Sequence, residues 1–147
     1  MEIRRATLVD IPAVYTCCVA AFKDYIPLIG RTPGPMLEDY CQAMEDHHLF
    51  VIPAAEGILG YLLLKEGEGD FMWMDVLAAH PKGTGMGRKL MDYCEEFIRA
   101  QGKGECRLYT HVKYKRTQEI YLRRGYEIYD RVKEKGFERF YLRRRLK

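Results

Sequence analysis

Long apolar runs are missing from this chain, and none approaches the roughly 20 residues that a membrane-spanning helix needs. The start, Met1-Glu2-Ile3-Arg4-Arg5, lacks the apolar core of a secretory leader and runs straight into a strand pattern. Strong charge of one sign is also missing. Lys and Arg number 24 against 21 Asp and Glu, a net +3 that is too mild to argue for nucleic acid. The five cysteines (Cys17, Cys18, Cys41, Cys94, Cys106) form an odd set without metal-ligand spacing, so no metal is expected. Free thiols in a reducing cytoplasm are the economical expectation. Internal repeats, linkers and low-complexity segments are absent as well. What remains is a chain of 147 residues, 48% hydrophobic, the size and composition of one globular domain over 1–147.

One stretch organises the rest. Phe71 to Ala79 is a run of apolar residues that reads as a buried strand. Lys82 follows, then Gly83, Gly85 and Gly87 at every second position, with Thr84 and Met86 between them. A helix comes next, with Leu90, Cys94, Phe97 and Ile98 at helical spacing. Glycines let a backbone approach an anion closely and turn several N–H groups toward it. The helix start adds unpaired N–H donors and the positive end of its dipole, and Arg88 and Lys89 add full charges. The same spacing also occurs in plain surface turns. A P-loop would place Gly-Lys-Ser/Thr after Gly83, where Arg88 stands, and a dinucleotide fingerprint would need a glycine at Arg88. A pyrophosphate without a nicotinamide remains open.

Around that stretch the chain reads as follows. Glu2–Ala6 is a strand, and Asp10 caps a helix with Pro12 just inside it and Ile11, Val14, Tyr15, Cys18 and Phe22 on one face. The Pro- and Gly-rich segment 25–35 reads as a loop, and Met36 to Asp46 as a second helix burying Leu37, Tyr40, Cys41 and Met44. Leu49–Ala54 and Ile58–Lys65 form a hairpin that leads into strand 71–79. After the central helix come a strand at Cys106–Thr110, a short helix at Arg116–Arg123 stopped by Gly125, and a hairpin of 126–132 with 137–143. The order is β-α-α-β-β-β-α-β-α-β-β. Short turns make the early strands antiparallel, and the crossing helix makes one neighbouring pair parallel. An α/β (α+β) domain with a mixed sheet and helices on both faces follows. Basic residues thicken toward the end, from Lys113, Lys115 and Arg116 to Arg143-Arg144-Arg145 and Lys147. They suit either a polyanionic ligand or a solvated face.

This order, with its motifs, resembles the GNAT N-acetyltransferase superfamily. The family's Arg/Gln-x-x-Gly-x-Gly/Ala loop falls on Lys82, Gly85 and Gly87, with Lys82 in place of Arg or Gln. Its Asn-x-x-x-Tyr-x-x-x-Gly-Phe/Tyr helix falls on Thr117 to Tyr126, with Tyr121, Gly125 and Tyr126 matching and Thr117 replacing Asn. The strand Arg107-Leu108-Tyr109-Thr110, the ending Gly136 to Tyr141 and the loop Gly30 to Met36 look like segments of one bacterial branch. The resemblance implies a mostly antiparallel sheet of six to seven strands and acetyl-CoA as co-substrate. It also implies an acyltransferase acting on a primary amine of a small molecule or peptide.

Under that resemblance Leu77, Ala79, Lys82, Gly83, Thr84, Gly85, Met86, Gly87, Arg88 and Thr117 are the cofactor-binding positions. The backbone of Leu77 would face the thioester, where an N–H stabilises the oxyanion. Tyr121 matches the family's general acid; the bland alternative is the apolar ridge of a short helix. Asp75 is the one charged residue within an otherwise apolar strand, so it should have a partner or a job. A structural hydrogen bond and base work through water both fit. Glu66, Glu68 and Asp70 read as turn residues, and His111 as a solvated loop residue. Tyr25, Arg31, Met36 and Tyr40 are the acceptor-side candidates, Arg31 either pairing an acceptor carboxylate or lying on the surface. No membrane or nucleic-acid partner is expected, and the chain is a monomer or homodimer. A relative that binds acyl-CoA without catalysis is the rival expectation, motivated by Lys82 and Thr117.

Overall fold

In a computed structural model that describes residues 2–146, the apolar periodicities resolve into seven strands and five helices. In chain order they are β1 Arg4–Arg5, α1 Ile11–Phe22, α2 Tyr25–Ile29, α3 Tyr40–Asp46, β2 His48–Pro53, β3 Ile58–Glu66, β4 Phe71–Ala79, α4 Met86–Ala100, β5 Glu105–His111, α5 Lys115–Arg124, β6 Glu127–Glu134 and β7 Phe137–Arg145. Met1 and Lys147, the ends of the expected domain, lie outside the described residues. The strands form one sheet in the order β1-β2-β3-β4-β5-β7-β6. Every neighbouring pair is antiparallel except β4 and β5, which the α4 crossover makes parallel. The last hairpin folds inward, so that β7 sits between β5 and the edge strand β6.

Each face of the sheet has its own core. On one, Leu90, Met91, Cys94 and Ile98 of α4 and Tyr121 of α5 pack on Phe50, Leu62, Met72, Met74, Cys106 and Leu142. On the other, Ile11, Val14, Cys17 and Cys18 of α1 and Tyr40 and Ala43 of α3 pack on Val51, Tyr61, Leu63, Val76 and Ala78. Met74 and Val76 are two apart in one strand and should share a face, yet they belong to opposite cores. The cause is a bulge: Leu63 pairs with Val76 and Leu64 with Met74, which leaves Asp75 as an extra residue in β4.

Four expectations near the N-terminus are corrected. The first strand shrinks to Arg4–Arg5 because a 3-10 turn takes up Leu8–Asp10. Asp10 does not cap α1 directly. Its carboxylate accepts from the Thr7 backbone N–H at 2.8 Å and from both terminal nitrogens of Arg4 at 2.7 and 3.0 Å. The segment 25–35 is not wholly loop: Tyr25–Ile29 is a short helix, ended by Gly30 in the left-handed region. The next helix starts at Tyr40 rather than Met36, because Asp39 caps it by accepting from Gln42 N–H at 3.1 Å. Leu37 and Cys41 are therefore exposed instead of buried.

The Arg4 guanidinium, assisted by the Thr7 N–H, holds the Asp10 carboxyl down at about 2. Asp10→Asn should therefore cost about 1 kcal/mol near neutral pH. A lowered carboxylate stabilises the fold above its ordinary value and loses that contribution as pH falls through the folded value. Urea unfolding of the two proteins should accordingly converge between about pH 4 and pH 2. A gap unchanged across that window would show that the carboxylate charge plays no part.

Candidate active site

The cleft begins where two strands part. β4 and β5 pair only at Phe71–Glu105, Met72–Cys106 and Trp73–Arg107. Beyond Trp73 the bulge at Asp75 turns β4 away, while β5 continues along β7. The gap opens into a cleft of about 610 Å³ that runs from the glycine turn, past Tyr121, to the loop after α2 and the β6–β7 turn.

At one end lies the glycine turn. Gly83 and Gly85 have φ of +79° and +81°, a region that side chains other than glycine seldom enter. A Cβ at either would meet nothing within 4 Å, so open space lies before the backbone. The first helical bond of α4 runs from Lys89 N–H to Gly85 O at 3.1 Å. The N–H groups of Met86, Gly87 and Arg88 therefore have no partner within the helix. Leu77, Ala79, Lys82, Gly83, Thr84, Gly85, Met86, Gly87 and Thr117 all line the cleft. Arg88 stands just outside the lining, with its side chain in solvent. Lys82 leans over the Tyr25 ring at 5.3 Å, and Tyr25 stacks on Tyr114 with centroids 4.0 Å apart. Arg116, on the first turn of α5, joins the same wall.

Tyr121 sits midway, 8% exposed, on the cleft wall. Its ring packs edge-on against Tyr126 at 5.4 Å, and its hydroxyl donates to Met74 Sδ at 3.5 Å. A thioether is a weak acceptor. Burial, and next the neighbouring Cys106 and Cys94 thiols, push the Tyr121 hydroxyl well above the ordinary tyrosine value, so it keeps its proton.

Asp75 has partners. Its carboxylate lines the cleft, accepts from Tyr109 OH at 3.0 Å and lies 3.3 Å from Lys65 Nζ. Lys65 also donates to Glu38 Oε1 at 3.0 Å. Burial works against the Lys65 charge, but the Asp75 and Glu38 carboxylates outweigh it and raise its pKa. Burial and the Asp75 charge raise that of Tyr109.

On the acceptor side the structure divides the four candidates. Tyr25 and Arg31 line the cleft. Tyr40 does not: it is fully buried, with its hydroxyl 2.8 Å from that of Tyr61 and 2.7 Å from Pro35 O. Met36 packs against the same α1-side core rather than the cleft. Both are corrections: the helix that begins at Tyr40 turns that side chain inward, and Met36 lies in a separate 3-10 turn at Gly34–Leu37 that packs on α1. His111, expected in a solvated loop, is half-buried at the end of β5 and also lines the cleft. Glu38, Lys65, Tyr109, Lys135, Phe137 and Arg139 reach the cleft without having been singled out. One signal was available for Lys65, which ends an apolar strand as Asp75 interrupts one.

A family description, the acetyltransferase (GNAT) family, matches residues 17–126 of this chain. The chain belongs to the GNAT family. Solved structures agree on the fold of the GNAT domain. A PaiA N-acetyltransferase from Thermoplasma acidophilum, in complex with coenzyme A, superposes with a TM-score of 0.80 at 17% identity, covering 98% of each chain. A GNAT-family acetyltransferase from Staphylococcus aureus gives 0.79 at 16% identity over 99% of each chain. The ribosomal-protein-S18-alanine N-acetyltransferase from Escherichia coli gives 0.78 at 12% identity, over 99% of this chain and 93% of the other. No protein of curated function matches this chain in sequence. The GNAT domain is an acyltransferase with acetyl-CoA as its co-substrate. Among its described residues no helix is long and apolar enough to cross a membrane. Nor does any group of three His, Cys, Asp or Glu side chains gather to hold a metal ion.

Proposed function

We propose that this chain, as one domain over 1–147, transfers the acetyl group of acetyl-CoA to a primary amine of a small molecule or peptide by direct attack, in the cytoplasm. The observation that carries the reading is the parting of β4 from β5 after Trp73, with the glycine turn at one end of the gap and Tyr121 on its wall. Acetyl-CoA supplies an acetyl group activated as a thioester. The N–H groups from Gly83 to Arg88 hold the pyrophosphate, with Lys82 and Thr117 beside it. Leu77 and Ala79 lie on the β4 edge that β5 no longer covers, and the backbone of Leu77 faces the thioester carbonyl. An N–H there stabilises the oxyanion as the amine nitrogen bonds to the carbonyl carbon.

Three protons must move: the acceptor nitrogen gives up one before attack and one from the adduct, and the leaving sulfur takes one. The acceptor ammonium gives one up, which costs about 4 kcal/mol at pH 7 for an amine of pKa near 10. Asp75 takes it through water; with Lys65 and Tyr109 already on its two oxygens, direct contact is the poorer route. As the C–S bond breaks, Tyr121 gives its proton to the leaving thiolate, a far better acceptor than the Met74 thioether, and the second proton that the adduct nitrogen sheds returns through water to Tyr121, leaving a neutral amide and CoA thiol.

A thermal-shift measurement tests the donor site. At a hundredfold excess over its Kd, acetyl-CoA should stabilise the protein by about 2.7 kcal/mol, roughly 5–10 °C for a domain of this size. Gly85→Asp should abolish the shift by repelling the pyrophosphate. Gly85→Asn, equally suited to a left-handed backbone but uncharged, should keep part of it. Equal shifts in wild type and a folded Gly85→Asp protein would place the pyrophosphate elsewhere. Release of CoA thiol with an amine panel separates an enzyme from a module that only binds acyl-CoA.

A further inference from the structure

The far end of the cleft is charged in a pattern. On one wall Glu38 and Asp75 share a single ammonium, Lys65, at 3.0 and 3.3 Å. That trio carries one negative charge in excess. On the β6–β7 side of the cleft stand Arg31 and Lys135, neither of which forms an ion pair within 4 Å among the described residues, although the Lys135 charge does act on Glu134. Arg139 lies there too, but Glu134 neutralises it at 3.0 Å. The wall therefore carries two positive charges in excess. Burial first, then the Lys113 and Arg139 charges, lower the pKa of His111, which lines the same cleft.

Arg31 is held in place rather than waving in solvent. Its guanidinium donates to Gly136 O at 2.9 Å and lies 4.5 Å over the Phe137 ring. It fills the space that a side chain at position 136 would need, since a Cβ there would stand 1.8 Å from the Arg31 nitrogen. One of five N–H donors is spent on the carbonyl; the rest keep the planar fork that suits a carboxylate or phosphate. The same contact ties the loop after α2 to the β6–β7 turn, 105 residues on. With Tyr25 on Tyr114, and Lys113 Nζ 3.4 Å from Leu28 O, it roofs the cleft mouth.

We infer that the acceptor is a small amine that also carries an anionic group. Its ammonium lies toward Glu38 and Asp75, and its carboxylate or phosphate lies on Arg31 and Lys135. The inference rests on reading the cleft as the acetyl-transfer site. A molecule with both charges satisfies both walls, whereas a neutral amine leaves the Arg31 wall unmet and a diamine is repelled by it.

The test uses the purified protein and amines paired so that only the anion differs. The pairs are β-alanine with propylamine, O-phosphoethanolamine with ethanolamine, and each common amino acid with its amide. Two readouts are taken: release of CoA thiol from acetyl-CoA, and the melting shift each amine adds to the CoA-loaded protein. At least one anionic member should exceed its partner tenfold or more in kcat/KM, and whether carboxylate or phosphate leads names the anion. Arg31→Gln should lower that ratio at least threefold, both members being measured on the same protein. Lys135→Asn should do likewise; Lys135 is an exposed turn residue at φ 51°, a conformation asparagine tolerates. Glu38→Gln should weaken both members together. If no anionic member outdoes its partner in either readout, or if Arg31→Gln leaves the ratio unchanged, the inference is wrong. Turnover of neutral amines alone would keep the transferase reading and overturn this one. Arg31-dependent stabilisation by anionic amines without turnover would do the reverse.

Discussion

Tyr121→Phe should lower turnover about a hundredfold while leaving the Michaelis constant for acetyl-CoA nearly unchanged. The substitution removes one hydroxyl and keeps the ring that packs on Tyr126. Among the described residues the only protein acceptor of that hydroxyl is the Met74 thioether at 3.5 Å, a bond too weak to matter for stability. Any loss is therefore chemical, and general acids contribute on the order of 10²–10⁴-fold. The lost interaction develops in the transition state, so kcat should fall and substrate binding should not. Burial raises the pKa of this hydroxyl. An acid must be protonated to act, so Tyr121 should impose no alkaline loss of kcat below about pH 10. Steady-state and single-turnover CoA release by the two proteins settle the matter. A mutant within about threefold of wild type, with chemistry rate-limiting, would make Tyr121 a packing residue.

Glu95→Ala should cost about 3 kcal/mol of stability, roughly 6–12 °C in Tm for a chain of this length. Glu95 lies on α4 with a side chain only 3% exposed. It accepts from Arg124 of α5 at 2.9 and 3.0 Å, from Tyr126 OH at 2.8 Å and from Arg144 of β7 at 2.6 Å. One carboxylate thus joins three elements behind the cleft. Its removal leaves a buried hydroxyl and two guanidinium groups short of partners. The loss stays at the low end for a buried charge network because Asp92 still holds Arg124 at 2.6 Å. Burial opposes ionisation of Glu95, but the hydrogen bonds from Arg124 and Tyr126 and the charges of Arg124 and Arg144 win and lower its pKa. The contribution is therefore complete above the ordinary glutamate value, about 4.3, and is lost as pH falls through the lowered one. The gap between wild type and Glu95→Gln, measured by denaturant unfolding, should close in acid. A Tm within about 2 °C of wild type for Glu95→Ala would mean the arginines find other partners at little cost.

What the sequence determined by itself were the features built from near neighbours. β4 spans Phe71–Ala79 as its apolar run implied, and α5 ends before Gly125 as that glycine implied. The glycine turn between β4 and α4 was legible for the same reason. Alternation, helical spacing and turn chemistry act over a few residues and are written in order along the chain. The place of Tyr121 on α5, four residues before the Gly125 that ends the helix, was legible in the same way. Proline and glycine misled at 25–35: Pro27 falls in the first turn of a five-residue helix, where it is tolerated. The fate of Asp75 was beyond any local pattern. Its bulge exists only in the register of β4 against β3, and its partners come from β3 and β5. Tyr40 likewise needed Asp39 to cap α3, which turned its hydroxyl to Tyr61 and Pro35. The seat of Arg31 on Gly136 needed the last hairpin to fold inward, with β7 beside β5. Contacts of this kind join residues far apart in the chain, so they are decided by strand order and register, which emerge only when the whole sheet has closed over both cores.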